Sequence, residues 1–462
     1  MASKVKRFGA IILGAMMTAS AFAGCDTTTE SSSSESSSDT SSSESSSETS
    51  AVDVLGDEYT EILKDKLAEE AASNSEDGYT ISLVLWCSSD DGDFEKSVVE
   101  DFIEKYTDED DRYTIDVTVK AVVGEDKAGT KLSEDASTAA DVCSVADDQL
   151  NDLYSAGCIA EVASIFAANV EAENSEEAVE ACSKDGTMLA FPKSSDNTYV
   201  LYYDKSVFDE DDVASFDALL EACQENNTSL FFPITNAWYN TSFFFTAGCT
   251  IDLTDDVQTA TFASDEGVIA VQAMQHMLEW LDDGLIAEGD ENSTIQTGFQ
   301  DGTIKAAITG TWMSSAIAEA IGEENVGVVK LPTVYMDGEE QQMWNFGGYK
   351  VVVVNKQSDF PIASQCLAYY MTCADVQIAR HTERGSIPTV TEALEDESVA
   401  SDQAVEAVAE QIEYSLPQSD AGGTYWTPIG AIGTDLIADQ RAGTIADEDT
   451  IMERLEEAVS AL

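Results

Sequence analysis

Positive charge is what this chain has least of. Its 462 residues include 22 Lys and Arg against 89 Asp and Glu, and only two histidines. Three of the basic residues, Lys4, Lys6 and Arg7, stand at the extreme N-terminus, so the remainder of the chain is more acidic still. Phosphate binding needs a basic surface, which excludes nucleic acid as a partner. An anionic membrane surface repels such a chain as well. The acidity itself reads as a solubility or habitat trait rather than as the mark of a cationic ligand. Catalytic constellations are also missing. His276 and His381 belong to no H-E-x-x-H pattern, and no G-x-S-x-G elbow occurs. The stretch from Gly124 to Lys131 has P-loop spacing, but its Lys and Thr are in the wrong order. Asp90-Asp91-Gly92-Asp93 lacks the alternation and the distal glutamate of a calcium loop. There is no C-x-x-C pair to suggest a zinc or redox motif, and internal repeats are absent, which argues against an adhesion or surface-layer array. Among 89 acidic residues, paired carboxylates for glycoside hydrolysis arise anywhere by chance, so that pattern carries no weight. No cofactor and no metal is implied.

What is present begins at the N-terminus. The short basic region is followed by an apolar stretch from Phe8 to Ala23, too short and too weakly apolar for a membrane-spanning helix but laid out as an export signal. It ends in Phe22-Ala23-Gly24-Cys25. This resembles the bacterial lipobox, with Phe22 where leucine is usual. The resemblance implies that residues 1–24 are a cleaved signal peptide and that Cys25 carries lipid; the alternative is an ordinary secreted protein with a cysteine at the cleavage point. Each buried acyl methylene contributes ~0.8 kcal/mol, so several chains hold a protein on a membrane. Residues 25–56 then form a Ser- and Glu-rich segment with fourteen serines between positions 31 and 50, and no Lys or Arg occurs from position 8 to 63. Such a segment cannot bury enough apolar surface to fold. As a flexible coil it separates its ends by roughly 30 Å.

From about residue 79 the chain is long enough for two lobes, each with its own core. Ile81 to Trp86 reads as a strand, followed by a helix with Phe94, Val98, Phe102 and Ile103 on one face. Tyr113 to Val123 alternates as a second strand. Val268 to Asp283 reads as a helix ended by Gly284, and Val351 to Val354 as a strand buried on both faces. Strands interleaved with helices predict α/β lobes with mainly parallel sheets. Eight cysteines beyond Cys25 allow up to four disulfides, yet Cys87 and Cys143 lie in strand-like runs and Cys366 and Cys373 fall seven apart on one predicted helix face. Those contexts suit small buried hydrophobes equally well.

The aromatics Trp238-Tyr239, Trp312, Trp344 and Tyr425-Trp426 sit beside Gly, Asn, Pro or Thr, in turn-like contexts rather than helical stripes. Aromatic planes in a cleft with a few convergent polar groups are the general form of a small-ligand site. Several stretches, in order, resemble the extracellular solute-binding proteins of ABC importers, of the maltose/maltodextrin type: Leu83-Val84-Leu85-Trp86, Asp90-Asp91-Gly92, Ala140-Asp141-Val142 through Asp147-Asp148-Gln149-Leu150, Leu189-Ala190-Phe191-Pro192, Leu201 to Lys205, Phe299 to Gly302, Ala306 to Trp312, and Gly385 to Pro388.

The resemblance implies a two-lobed α/β fold of the type II periplasmic-binding-protein kind. Lobe one would comprise residues 79–192 and 331–388, and lobe two residues 193–330 and 389–462, with an oligosaccharide held between them and passed to the permease. It implies a lipid-anchored monomer on the outer face of the cytoplasmic membrane, and no enzymatic step. Residue by residue, Trp312, Trp426, Tyr425, and Trp238 or Tyr239 match the aromatics that face the sugar. Asp90, Asp91, Asp148 and Asp196 match polar groups that accept hydrogen bonds from its hydroxyls. Three positions depart from the maltodextrin pattern: Asp91 stands where a lysine is usual, Gln149 where an arginine is, and Val145 where an aromatic is. A polyamine is the competing ligand, since acidic groups and aromatics also hold ammonium ions. A secreted glycoside hydrolase is the competing class.

Overall fold

The computed structural model describes residues 56–462 apart from Asp90, Glu109, Asp255, Asp256, Asp282 and Asp283. The signal peptide, Cys25, nearly all of the Ser-rich segment and the candidate Asp90 therefore lie outside the described residues.

Ten strands build two sheets. The first five are β1 (Thr80–Cys87), β2 (Thr114–Ala121), β3 (Val142–Ala146), β4 (Phe191–Ser194) and β5 (Val200–Asp204). The next five are β6 (Ser229–Phe231), β7 (Ile286–Ala287), β8 (Ile304–Thr309), β9 (Val326–Val329) and β10 (Lys350–Val354). One five-stranded sheet runs β2-β1-β3-β10-β4, the other β7-β6-β8-β5-β9. Each buries apolar side chains on both faces, so each lobe has two cores. This is the expected two-lobed α/β architecture, with sheets of mixed direction. β1 pairs in parallel with β2 and β3, whereas β10 is antiparallel to β3 and β4. In the second sheet β5 is antiparallel to both β8 and β9. Strands entering or leaving a lobe at a crossing need not follow the parallel sense that a helical crossover imposes.

The chain first crosses between lobes in residues 195–199, between β4 and β5. The return does not come at residue 331 as the resemblance implied. Leu331, Val334, Met336, Met343 and Phe346 all pack in the second lobe's core, and the chain re-enters the first sheet only at Lys350, after Gly347-Gly348. The crossings hold one another. Asn345 Nδ2 donates to Thr198 Oγ1 at 2.9 Å, Thr198 Oγ1 to the Phe346 carbonyl at 2.8 Å, and the Ser195 N–H to the Ile387 carbonyl at 2.9 Å.

An element the sequence reading passed over packs on the first lobe. Gly56–Asn74 is a helix whose Leu63, Leu67 and Ala71, four apart on one face, enter that lobe's core. Its Glu70 caps the helix Pro361–Tyr370, accepting from the Ile362 and Ala363 N–H groups at 2.8 and 2.9 Å, where the helix dipole favours a carboxylate. The first lobe therefore takes in residues ahead of the expected start at 79, from this helix onward. The predicted helix 268–283 runs from Asp265 to Leu278, started by a Ser264 side-chain cap. Cys366 and Cys373 do not share a helix, because Pro361–Tyr370 ends before Cys373 caps Ala374–Arg384. All eight cysteines from Cys87 to Cys373 are free thiols and seven are buried; burial pushes Cys87 and Cys143 up to about 12.

Candidate functional site

The lobes face each other across a cleft of about 740 Å³. Its first-lobe wall is ionic. Lys193, at the end of β4, is 2% exposed and lies 3.0 Å from Glu125 Oε1, 3.5 Å from Asp91 Oδ2 and 3.6 Å from Glu95 Oε1. Arg380 stands 3.2 Å from the same Glu95 oxygen, and Arg384 Nε donates to Asp91 Oδ1 at 3.2 Å. Burial alone would raise the Asp91 carboxyl, but the cations Lys193, Lys350, Arg380 and Arg384 outweigh it and hold it down at about 2. Burial disfavours the Lys193 ammonium, yet Glu125, Asp91 and Glu95 reverse that and keep it protonated.

The second-lobe wall is aromatic. The helix Ala237–Thr246 starts at an Asn236 cap and presents Trp238, whose ring centroid lies 4.6 Å from Tyr199 and 5.8 Å from Trp312. Trp312 rests on Gly310, where a Cβ would come within 2.0 Å of the indole, so only glycine permits that approach. Glu291 fixes the ring edges: it accepts from Trp312 Nε1 at 3.1 Å, from the Tyr239 hydroxyl at 2.9 Å and from the Thr309 hydroxyl. Burial raises the Glu291 carboxyl, and these three donors oppose the rise. Lys350, from the first lobe, places its ammonium 4.6 Å from the Trp312 ring centroid.

Between the walls lies a floor of buried acids and amides. Burial pushes Asp148 up to about 7 despite a hydrogen bond from Gln418, and raises its neighbour Asp147 further, helped by the charge of Asp148. Asp147 Oδ1 and Asp148 Oδ1 are buried without a partner. Gly348 lets the chain pass here, since a Cβ would stand 2.8 Å from Asp147 Oδ1.

Of the residues expected at the site, Asp91, Asp148, Trp238, Tyr239, Trp312 and Trp426 line the cleft. Tyr239 is 1% exposed, with its hydroxyl committed to Glu291, so it backs the wall rather than facing a ligand. Two expectations are corrected. Tyr425 is a core residue: it is fully buried, its hydroxyl is 2.7 Å from Thr241 Oγ1, and its ring packs on Phe262 and Phe346. Asp196 is also fully buried, accepting from the Thr311 hydroxyl and the Ile387 N–H; it ties the crossing rather than lining the cleft. The departures have structural uses. Val145 is a core residue of β3, and Gln149 pins the helix Glu125–Glu134 by accepting from the Gly129 N–H at 3.0 Å and donating to the Glu125 carbonyl at 2.7 Å. Glu125, Lys193, Glu291, Lys350, Arg384 and Gln418 were not foreseen. In an acidic chain neither glutamate stands out, and no local pattern marks the others.

Comparison with known proteins agrees with this geometry. Residues 99–407 match the family model described as bacterial extracellular solute-binding protein. The chain is 24% identical over 372 residues to the maltooligosaccharide ABC transporter solute-binding lipoprotein of Streptococcus pneumoniae serotype 4, covering 77% of this chain and 85% of that one. A solved structure with acarbose superposes with a TM-score of 0.71 at 27% identity, covering 83% of this chain and 98% of the other. The maltodextrin binding protein MalE1 from L. casei BL23, without ligand, gives a TM-score of 0.67 at 24% identity, with 83% and 98% covered. With two lobes, a cleft between them and a family match over most of its length, this chain belongs to the bacterial extracellular solute-binding proteins.

Proposed function

We propose that the protein captures an oligosaccharide of the malto-oligosaccharide kind outside the cell and delivers it to the membrane permease of an ABC importer. The observation that carries this reading is the pairing of a half-buried aromatic wall, Trp238, Trp312 and Trp426, with hydrogen-bonding groups across the same cleft. Sugar rings have apolar C–H faces that stack on indoles and rims of hydroxyls that need partners. Unpaired, buried hydroxyls cost about 1–3 kcal/mol each, so Asp148 and the surrounding amides select for a ligand that satisfies them. Asp148 Oδ1, buried and unpartnered, is such an acceptor. No bond is broken in this role. The ligand stabilises the closed arrangement of the lobes, and the permease reads that shape.

The lipid on Cys25 and the Ser-rich segment complete the reading as an anchor and a tether on the outer face of the membrane. The protein works as a monomer, its own two lobes supplying both walls. A polyamine fits less well, because Lys350 already sets an ammonium over the Trp312 ring and Arg384 adds a second cation to the cleft.

A thermal-shift screen of the purified protein against malto-oligosaccharides, other glycans and polyamines tests the proposal. At about a hundred times its dissociation constant a ligand adds ~2.7 kcal/mol of stability, a shift of a few degrees. The expected result is a shift with a malto-oligosaccharide that is recovered uncleaved. A shift with polyamines alone, or cleavage of the glycan, overturns it.

A further inference from the structure

We propose that Gln418 is the positioning residue that fixes the second-lobe Trp238 ring against the first crossing segment at the base of the cleft. Gln418 is 6% exposed and follows the strand Ser415–Pro417, which runs beside Asn345–Gly347 at the inter-lobe crossing. Its Oε1 accepts two hydrogen bonds at 2.8 Å, one from Trp238 Nε1 and one from Asn197 Nδ2 of the first crossing segment. An indole N–H can only donate, so the amide oxygen has to face Trp238, and the amide NH2 is thereby turned the other way. One planar side chain thus ties a second-lobe aromatic to the first crossing segment, and two donors on its one oxygen settle which way the amide is turned.

Consequences follow for recognition. Trp238 is held at its polar edge by Gln418 and flanked by the Tyr199 ring, so its orientation depends on the amide. Placed beside the crossing segments, where opening and closing displace atoms least, the link can persist through the movement. The cleft would then meet its ligand with the stacking plane already set, so less ordering is paid for on binding.

The positioning claim does not depend on the ligand, whereas its effect on affinity rests on the saccharide reading above; the test separates the two. In ligand-free protein, the indole N–H resonances of the six tryptophans are recorded, that of Trp238 being identified by Trp238→Phe. Gln418→Leu is expected to move the Trp238 resonance. Gln418→Glu, which keeps the acceptor but loses the donor, is expected to leave it near the wild-type position. In the second arm, Gln418→Leu weakens malto-oligosaccharide binding at least tenfold in the wild-type background but less than threefold in Trp238→Phe. A Trp238 resonance unmoved by Gln418→Leu, or losses that simply multiply in the double variant, overturns the proposal. A moved resonance in a protein that binds no saccharide supports the positioning role and sinks the saccharide reading instead. Gln418→Met, which removes the same acceptor from a side chain of similar length, carries the experiment if Gln418→Leu does not fold.

Discussion

The two walls of the cleft solve the same problem with different chemistry. On the first-lobe side, Asp91, Glu95, Lys193, Arg380 and Arg384 form a connected ionic network in which Lys193 and Arg380 are almost wholly buried. On the second-lobe side, Tyr199, Trp238, Tyr239 and Trp312 form a run of rings held at their polar edges by Gln418 and Glu291. Aromatic side chains lose little freedom on ordering, so that wall is rigid at low entropic cost. The ionic wall is rigid because each buried charge has a partner that it cannot afford to lose; such networks bring orientation more than net stability. The difference teaches that even a chain with so few cations commits Lys193, Arg380 and Arg384 to one wall of its cleft.

The contrast can be broken most severely at Lys193. Lys193→Met strands Asp91, Glu95 and Glu125 without their shared cation and should destabilise the protein by about 3–5 kcal/mol in urea unfolding, far more than any single aromatic truncation at the cleft rim. Next, Trp312→Ala should weaken saccharide binding at least tenfold, about 1.4 kcal/mol by calorimetry, with little loss of stability, since Glu291 keeps its bonds from Tyr239 and Thr309. A mutant that unfolds instead would make Trp312 core.

The buried acids should also differ among themselves in their response to pH. Asp148 and Asp420, raised by burial from 3.8 to about 7 and about 6, bind more protons folded than unfolded over that interval. Stability from these groups is present below about pH 4 and is lost as pH rises through 6 and 7. Asp91, lowered to about 2, acts oppositely: its contribution is full above about pH 4 and is lost as pH falls through 2. Melting of the ligand-free protein across pH 4–8 should show the decline, and Asp148→Asn should flatten it. The smallest effect is expected from Tyr425→Phe, which removes the Thr241 contact at a cost of about 1 kcal/mol and leaves binding unchanged.

Much of this was legible along the chain. Alternating and continuous apolar runs placed β1, β2 and β10, because burial on one or both faces writes a period of two or an unbroken run into the sequence. The order of short motifs pointed to the two lobes and to Trp238, Trp312, Asp91 and Asp148 in the cleft. Tyr425 and Trp426 show where such reading stops. Adjacent on the chain, they point to the core and to the cleft respectively, and nothing local distinguishes them. The helix Gly56–Asn74 went unread between the polar segment and the first strand because its buried face is only a narrow stripe, stabilised by the first lobe and by the Glu70 cap rather than by its own propensity.

The sequence by itself determined an acidic chain with a basic and then apolar N-terminal stretch, a Ser-rich segment and an α/β body, since composition and periodicity are local properties. Tertiary structure alone decided that Lys193 and Arg380 neutralise one wall, that Glu291 and Gln418 aim the other, and that the chain returns to the first lobe at Lys350 rather than residue 331. Hydrogen bonds and ion pairs between residues on different elements leave no trace in spacing; they exist only where the fold brings their partners into bonding distance.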